Sequence, residues 1–152
     1  MSFFPTKILL ATDGSEEASL ATEAATELSK NTASEVHLAY VVPTPARLVY
    51  PHHYPKEVRE DIVEQAKKEA GEFLDTQAEQ IRSGGGSVSE VHLRTGRPDN
   101  EIVSLSEDLG VGLIVIGSRG LTGVRRALMG SVSDSVVRHA HCPVMVVRRE
   151  AQ

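Results

Sequence analysis

Cysteine is almost absent: Cys142 stands alone among 152 residues, so no intrachain disulfide can form. The core must hold without a covalent staple. Basic blocks are missing as well, in a composition of 16 Lys and Arg against 21 Asp and Glu. Nucleic acid and anionic membrane surfaces require a positive footprint, so neither is expected as a partner. Long apolar runs are lacking: the longest, Leu38 to Val42, has five residues, against about twenty for a membrane-spanning helix. Met1 to Thr6 shows none of the basic and apolar segments of a secretory signal, which makes the cytoplasm the expected compartment. No internal repeat, linker or low-complexity tail interrupts the chain.

What is present alternates between short apolar runs and amphipathic stretches. The length suits one domain, residues 1–152, able to bury about two thirds of the surface the unfolded chain exposes. Lys7 to Thr12 and Val36 to Val42 read as strands covered on both faces in a parallel sheet. Between them Ser15 can cap a helix whose Ala18, Ala21, Ala25 and Leu28 share one face, with Glu16 and Glu17 in its first turn. The crossover between those strands should be right-handed. Asp13 falls at the carboxyl end of the first strand, where doubly wound sheets place ligand groups; a turn or cap aspartate would look the same.

Beyond Val42 the stiff stretch from Pro43 to Pro55, with four prolines and Tyr50 and Tyr54, is placed to cover a bound base. Val58 to Arg82 predicts a covering helix with Ile62, Ala66, Ala70, Phe73, Gln77 and Ile81 on one face. Val88 to Arg94 alternates apolar and polar residues, as an edge strand does. Gly96-Arg97-Pro98 turns into a helix carrying Ile102, Leu105 and Leu109 and closed by Gly110. The last strand, Val144 to Val147, is apolar throughout and lies at the end of the sheet; such an edge predicts a homodimer through residues 144–147. Neither His52-His53 nor His139-Ala-His141-Cys142 brings together the three or four convergent ligands that zinc needs.

The stretch organising the chain is Gly117-Ser-Arg-Gly120, nine residues, then Gly130-Ser131. It follows the apolar strand Leu113 to Ile116 directly. Glycine lets backbone N–H groups approach a ligand, and the helix through Val132, Val136 and Ala140 would turn its amides and positive dipole end to the same place. Arg119, Arg125 and Arg126 lie in the stretch while Asp and Glu are absent from it, in a chain of formal net charge -5. The local charge suits a small phosphate ligand. Glycines that merely form a turn after a strand would share the spacing but need no arginines.

The pattern G-x2-G-x9-G-S resembles the nucleotide-binding signature of the universal stress protein family, in its ATP-binding branch. The likeness runs nearly end to end, through Ile8 to Ser15, Gly96-Arg97-Pro98 and Cys142-Pro143-Val144. It implies a Rossmann-like, doubly wound α/β fold: a five-stranded parallel sheet in the order 3-2-1-4-5 with about four flanking helices, and ATP at the switch between strands one and four. It further implies that Asp13 contacts the nucleoside and that the backbone of Val41 reads the adenine edge. Gly117, Gly120, Gly130, Ser131 and Val132 would hold ribose and phosphates, with Ser133 beside them and Arg119 neutralising charge. Thr12, at a position where family members vary, forms the adjoining wall. Mg²⁺ or Mn²⁺ would accompany the phosphates.

The function so implied is a regulatory ATP-binding switch in a stress response. No P-loop of the form G-x4-G-K followed by Ser or Thr places a lysine on the phosphates, so hydrolysis, if any, should be slow. A nucleotide-free dimeric scaffold and a nucleotidyl-transfer enzyme are the alternatives.

Overall fold

The computed structural model describes residues 2–43, 56–118 and 130–149. Along them run β1 (Lys7–Thr12), α1 (Glu16–Thr32), β2 (Glu35–Pro43), α2 (Lys56–Ser83), β3 (Ser87–Gly96), α3 (Pro98–Leu109), β4 (Leu113–Gly117), α4 (Ser131–His139) and β5 (Val144–Val147). Every strand pairing is parallel, and the order is β3-β2-β1-β4-β5, as the resemblance implies. Side-chain alternation divides the sheet between two layers. Ile8 and Leu10 join Ala21 and Ala25 of α1 and Leu74, Ala78 and Ile81 of α2. Leu9 and Ala11 face the other way, against Ile102 and Leu105 of α3 and Val136 of α4. Ile8, Leu9 and Leu10 are each 0 % exposed, which explains an unbroken apolar run in a strand with a helix layer on either side. Each such side chain contributes about 1.5–3 kcal/mol by burial.

Ser15 caps α1 as expected, its hydroxyl accepting from the Ala18 amide at 3.1 Å. The small residues Ala18, Ala21 and Ala25 are buried, so α1 seats closely on the sheet. The covering helix α2 departs from its expected face at one end: Ala70, Leu74, Gln77, Ala78 and Ile81 are buried, but Ile62 is 44 % exposed. Length is the reason. The 28 residues of α2 span about 42 Å, whereas the nine of its neighbour β2 reach about 30 Å, so the first turns outrun the sheet.

One β-bulge decides how the edge strand β3 lies. Val36 pairs with Val88, but His37 pairs with Glu90, so Ser89 is skipped. Because strand side chains have period two, the extra residue reverses which of them share a face. Val91 and Leu93 thereby align with Leu38 and Tyr40, while Glu90 and His92 align with His37 and Ala39 on the α3 side. Burial first, then the neighbouring His37, hold His92 below its ordinary pKa; Glu90 pulls it upward and Arg94 downward.

The helices α3 and α4 are joined by a buried carboxylate. Asp99 accepts from Ser135 Oγ at 2.7 Å and from Arg97 Nε at 2.9 Å. Burial alone would raise its pKa, but the Ser135 hydroxyl, the Asn100 amide and the Arg97 guanidinium outweigh it and leave the carboxyl below its ordinary value. A depressed folded-state pKa means that this stabilisation is complete above the unfolded value of about 3.9 and is lost as pH falls through the folded one. We expect the urea midpoint of the wild type to fall more steeply below about pH 4 than that of Asp99→Asn, whose amide does not titrate. Parallel acid limbs would remove Asp99 from the linkage.

Candidate functional site

The carboxyl edge of the sheet gathers the residues singled out from the sequence. Register aligns Thr12 with Tyr40, and Ala11 with Ile116, so the Thr12-Asp13 tip lies between the ends of β2 and β4. From there α1 departs over one face and α4 serves the other. A crevice at this reversal of strand order is where open α/β sheets take ligands.

Asp13 is half-buried and forms a local turn, its Oδ1 accepting from the Ser15 amide at 2.9 Å. Gly14 follows at φ 81, a left-handed conformation that favours glycine. Thr12 is buried beneath this turn, 6 % exposed. The Tyr40 hydroxyl donates to the Asp13 carbonyl at 3.4 Å. Burial, reinforced by the charges of Asp13 and Glu69, raises the pKa of Tyr40, so the phenol keeps its proton. Val41 has a buried side chain, but its backbone lies one residue past the last pairing of β2 with β1, while β3 still pairs with it through Arg94. The pairing with β1 therefore ends just before Val41. A sheet end of this kind offers backbone donors and acceptors to a planar ring.

At the end of β4, Gly117 serves the packing of α1. A Cβ there would meet the carbonyl carbon of Glu17 at 2.8 Å and the nitrogen of Ala18 at 2.9 Å. Ser118 comes next and is buried. Its amide donates to Val147 at 2.8 Å, and its carbonyl accepts both the Gly130 amide at 2.6 Å and the Ser133 hydroxyl at 2.7 Å. Ser133 Oγ also lies 3.1 Å from the Gly130 carbonyl. The chain thus leaves at Ser118 and returns at Gly130 through a shared clasp. Arg119, Gly120, Arg125 and Arg126 lie between them, outside the described residues; residues 44–55 of the stretch expected to cover a base, His52-His53 among them, are outside as well.

Gly130 is the N-cap of α4, and among the described residues no side chain caps that end. The first helical amides, those of Ser131, Val132 and Ser133, have no partner inside the helix. Ser131 is exposed, Val132 half-buried and Ser133 buried. Such an end attracts an anion through its N–H groups and its dipole. The structure therefore brings Thr12, Asp13, Val41, Gly117 and Gly130 to Ser133 to one edge. Sequence reading passed over Arg149, two residues beyond β5, which forms an ion pair with Glu16 in the first turn of α1. The signal available was its place after the last strand, since parallel strands all end at this edge.

A cleft of about 320 Å³ borders the same tip, lined by Gly14, Tyr40, Val42, Glu69 and Phe73 among others. It lies on the α2 side, with Tyr40 and Phe73 edge to face at 6.0 Å. The α4 terminus serves the opposite layer, so the cleft and the helix end flank the tip rather than coincide. Of the other sequence candidates, His139 Nδ1 lies 2.8 Å from the Ser135 carbonyl, and His141 Nδ1 lies 3.2 Å from Glu107. They do not converge with Cys142.

The chain is similar to known proteins along nearly its whole length. The universal stress protein family profile matches residues 5–148. The universal stress protein YxiE of Bacillus subtilis is 35% identical over 150 residues, covering 93% of this chain and 98% of its own. The universal stress protein MJ0531 of Methanocaldococcus jannaschii is 34% identical over 143 residues, covering 94% of this chain and 82% of its own. Among solved structures, the universal stress protein of Archaeoglobus fulgidus in complex with dAMP superposes with a TM-score of 0.67 at 26% identity, covering 95% of this chain and 98% of its own.

Proposed function

The chain belongs to the universal stress protein family, and on that premise we propose that it binds an adenine nucleotide, ATP with Mg²⁺ or Mn²⁺, as a regulatory switch. The observation that carries this reading is that Asp13, the end of β2 at Val41 and the N-terminus of α4 all lie at one edge of the sheet. Adenine is favoured because the Archaeoglobus fulgidus relative holds dAMP. In this reading Asp13 contacts the nucleoside with the carboxylate oxygen that Ser15 does not occupy. Val41 meets the adenine edge, and Thr12 walls the pocket. Amides of Ser131 and Val132 meet phosphate oxygens, with the Ser131 hydroxyl as a further donor. Gly117 keeps α1 close to the crevice, Ser133 holds its rim, and Arg119 and Gly120, outside the described residues, complete the phosphate set. The chemistry supported is binding; a lysine placed by a P-loop is not in the sequence.

The outer edge of β5, where Met145 is 37 % exposed, would join two such chains. The cytoplasm is the proposed compartment, and neither nucleic acid nor membrane is a proposed partner. Among the described residues no helix is long and apolar enough to cross a membrane. The test is mass spectrometry of small molecules released on denaturing freshly purified protein, followed by titration of stripped protein with ATP and Mg²⁺ while sedimentation reports its mass. We expect adenine nucleotide in the released fraction, a micromolar dissociation constant, equivalent to about 8 kcal/mol, and the mass of two chains. If neither a bound nucleotide nor affinity up to millimolar ATP is found, the nucleotide-free dimeric scaffold becomes the better account.

A further inference from the structure

Away from the nucleotide crevice, we propose that His37, His92 and Glu90 form a binding site for a borderline divalent metal ion of the zinc class, clipping the edge strand β3 to β2. One donor atom from each of the three lies within 4.8 Å of the others. His37 Nδ1 and His92 Nε2 are 3.1 Å apart, and Glu90 Oε2 is 3.7 Å from His92 Nε2. Two ligands of a tetrahedral zinc ion with bonds of about 2.0–2.1 Å are separated by roughly 3.3 Å. The histidine pair has nearly that spacing with its two nitrogens end to end, so each ring has only to turn its lone pair toward the ion, and Glu90, with a side chain 63 % exposed, has room to close the remainder.

A second observation points the same way. His37 is 3 % exposed, and its other nitrogen, Nε2, is buried without a hydrogen-bond partner. Glu35 Oε1 lies 3.8 Å from it. In a metal-free pair one imidazole must donate to the other. With an ion bound at Nδ1 of His37, the proton of that ring resides on Nε2 and faces Glu35, the carboxylate–histidine–metal arrangement that orients a ligating ring. The bulge at Ser89 supplies the geometry, since without it Glu90 and His92 would face the opposite side of the sheet. Two imidazoles and one carboxylate leave a fourth position for water and suit zinc-class ions better than Mg²⁺ or Ca²⁺, which favour all-oxygen shells.

Co²⁺ serves as the probe, because tetrahedral nitrogen and oxygen coordination gives it an intense visible band. The full chain, stripped with chelator and free of nucleotide, is titrated with Co²⁺ and then with competing Zn²⁺. We expect one Co²⁺ per chain with a visible band displaced by Zn²⁺, affinity weakened about 100-fold or more in His92→Ala, and about tenfold in Glu35→Gln. Glu90→Gln, at an exposed position, cannot unfold the chain and should lose about tenfold in affinity with a shifted band. His52→Ala/His53→Ala and His139→Ala/His141→Ala should bind as the wild type does. Absence of the band at millimolar Co²⁺, or unchanged affinity in Glu90→Gln or in folded His92→Ala, overturns the proposal.

Discussion

Gly117→Val is expected to cost the fold about 3 kcal/mol or more, and to remove nucleotide binding as a consequence of that loss. The atoms a Cβ would meet are backbone atoms of Glu17 and Ala18, at 2.8 Å and 2.9 Å, in the first turn of α1. A flexible side chain could swing aside, but a helix backbone cannot. Movement of this turn would also break the Ser15 cap, another roughly 1 kcal/mol, and displace the Asp13–Gly14 tip beside it. Gly110→Ala is the useful comparison. That glycine is left-handed at φ 65 with open space where a Cβ would go, so its substitution should cost only about 1–2 kcal/mol of backbone strain. Urea unfolding of both variants separates steric from conformational demands. A Gly117→Val protein of near-wild-type midpoint that had nonetheless lost ATP affinity would return this glycine to the role of admitting a ligand.

Much of this architecture is legible in the chain because a two-sided parallel sheet writes its strands as unbroken apolar runs. Ile8 to Leu10 and Leu113 to Ile116 could hardly be anything else between amphipathic helices, and Ser15 with Glu16 and Glu17 marks the first helix start by capping chemistry alone. The crevice was readable because Asp13 and Gly130-Ser131 each stand at the junction of a strand or loop with a helix. Three features were not readable. The role of Gly117 depends on the approach of α1, a contact about a hundred residues away in sequence whose closeness only the packed fold fixes. The double duty of the Ser118 carbonyl is invisible because a backbone acceptor leaves no trace in residue identity. The meeting of His37 with Glu90 and His92 requires the bulge; strict alternation sends them to opposite faces, and His92 reads as an ordinary polar residue of an edge strand.

Ser131→Ala and Ser133→Ala should both weaken nucleotide binding, but only Ser133→Ala should destabilise the fold, although the two hydroxyls are neighbours in one signature. Ser133 is 1 % exposed, and its hydroxyl is committed to the carbonyl of Ser118 at 2.7 Å, within reach of that of Gly130 at 3.1 Å. Deleting it removes a buried hydrogen bond and loosens one half of the clasp, while the Gly130 amide keeps its own bond to Ser118 at 2.6 Å. The expected cost is about 1–2 kcal/mol of stability, with nucleotide affinity falling about tenfold because the start of α4 is no longer fixed against β4. Ser131 is exposed on the first turn of a helix whose N-cap is glycine. Its loss should leave stability within about 0.5 kcal/mol of the wild type, yet still cost roughly tenfold in ATP affinity through the missing donor. Paired urea and ATP titrations on the two variants make the distinction measurable. Should Ser131→Ala destabilise the fold while Ser133→Ala leaves it intact, the clasp would not be what holds the crevice. Should both keep full stability and full affinity, the end of α4 would not be where the phosphates lie. A tenfold affinity loss in Ser131→Ala at unchanged stability admits neither account, because only a ligand at that helix end registers a hydroxyl the fold itself does not use.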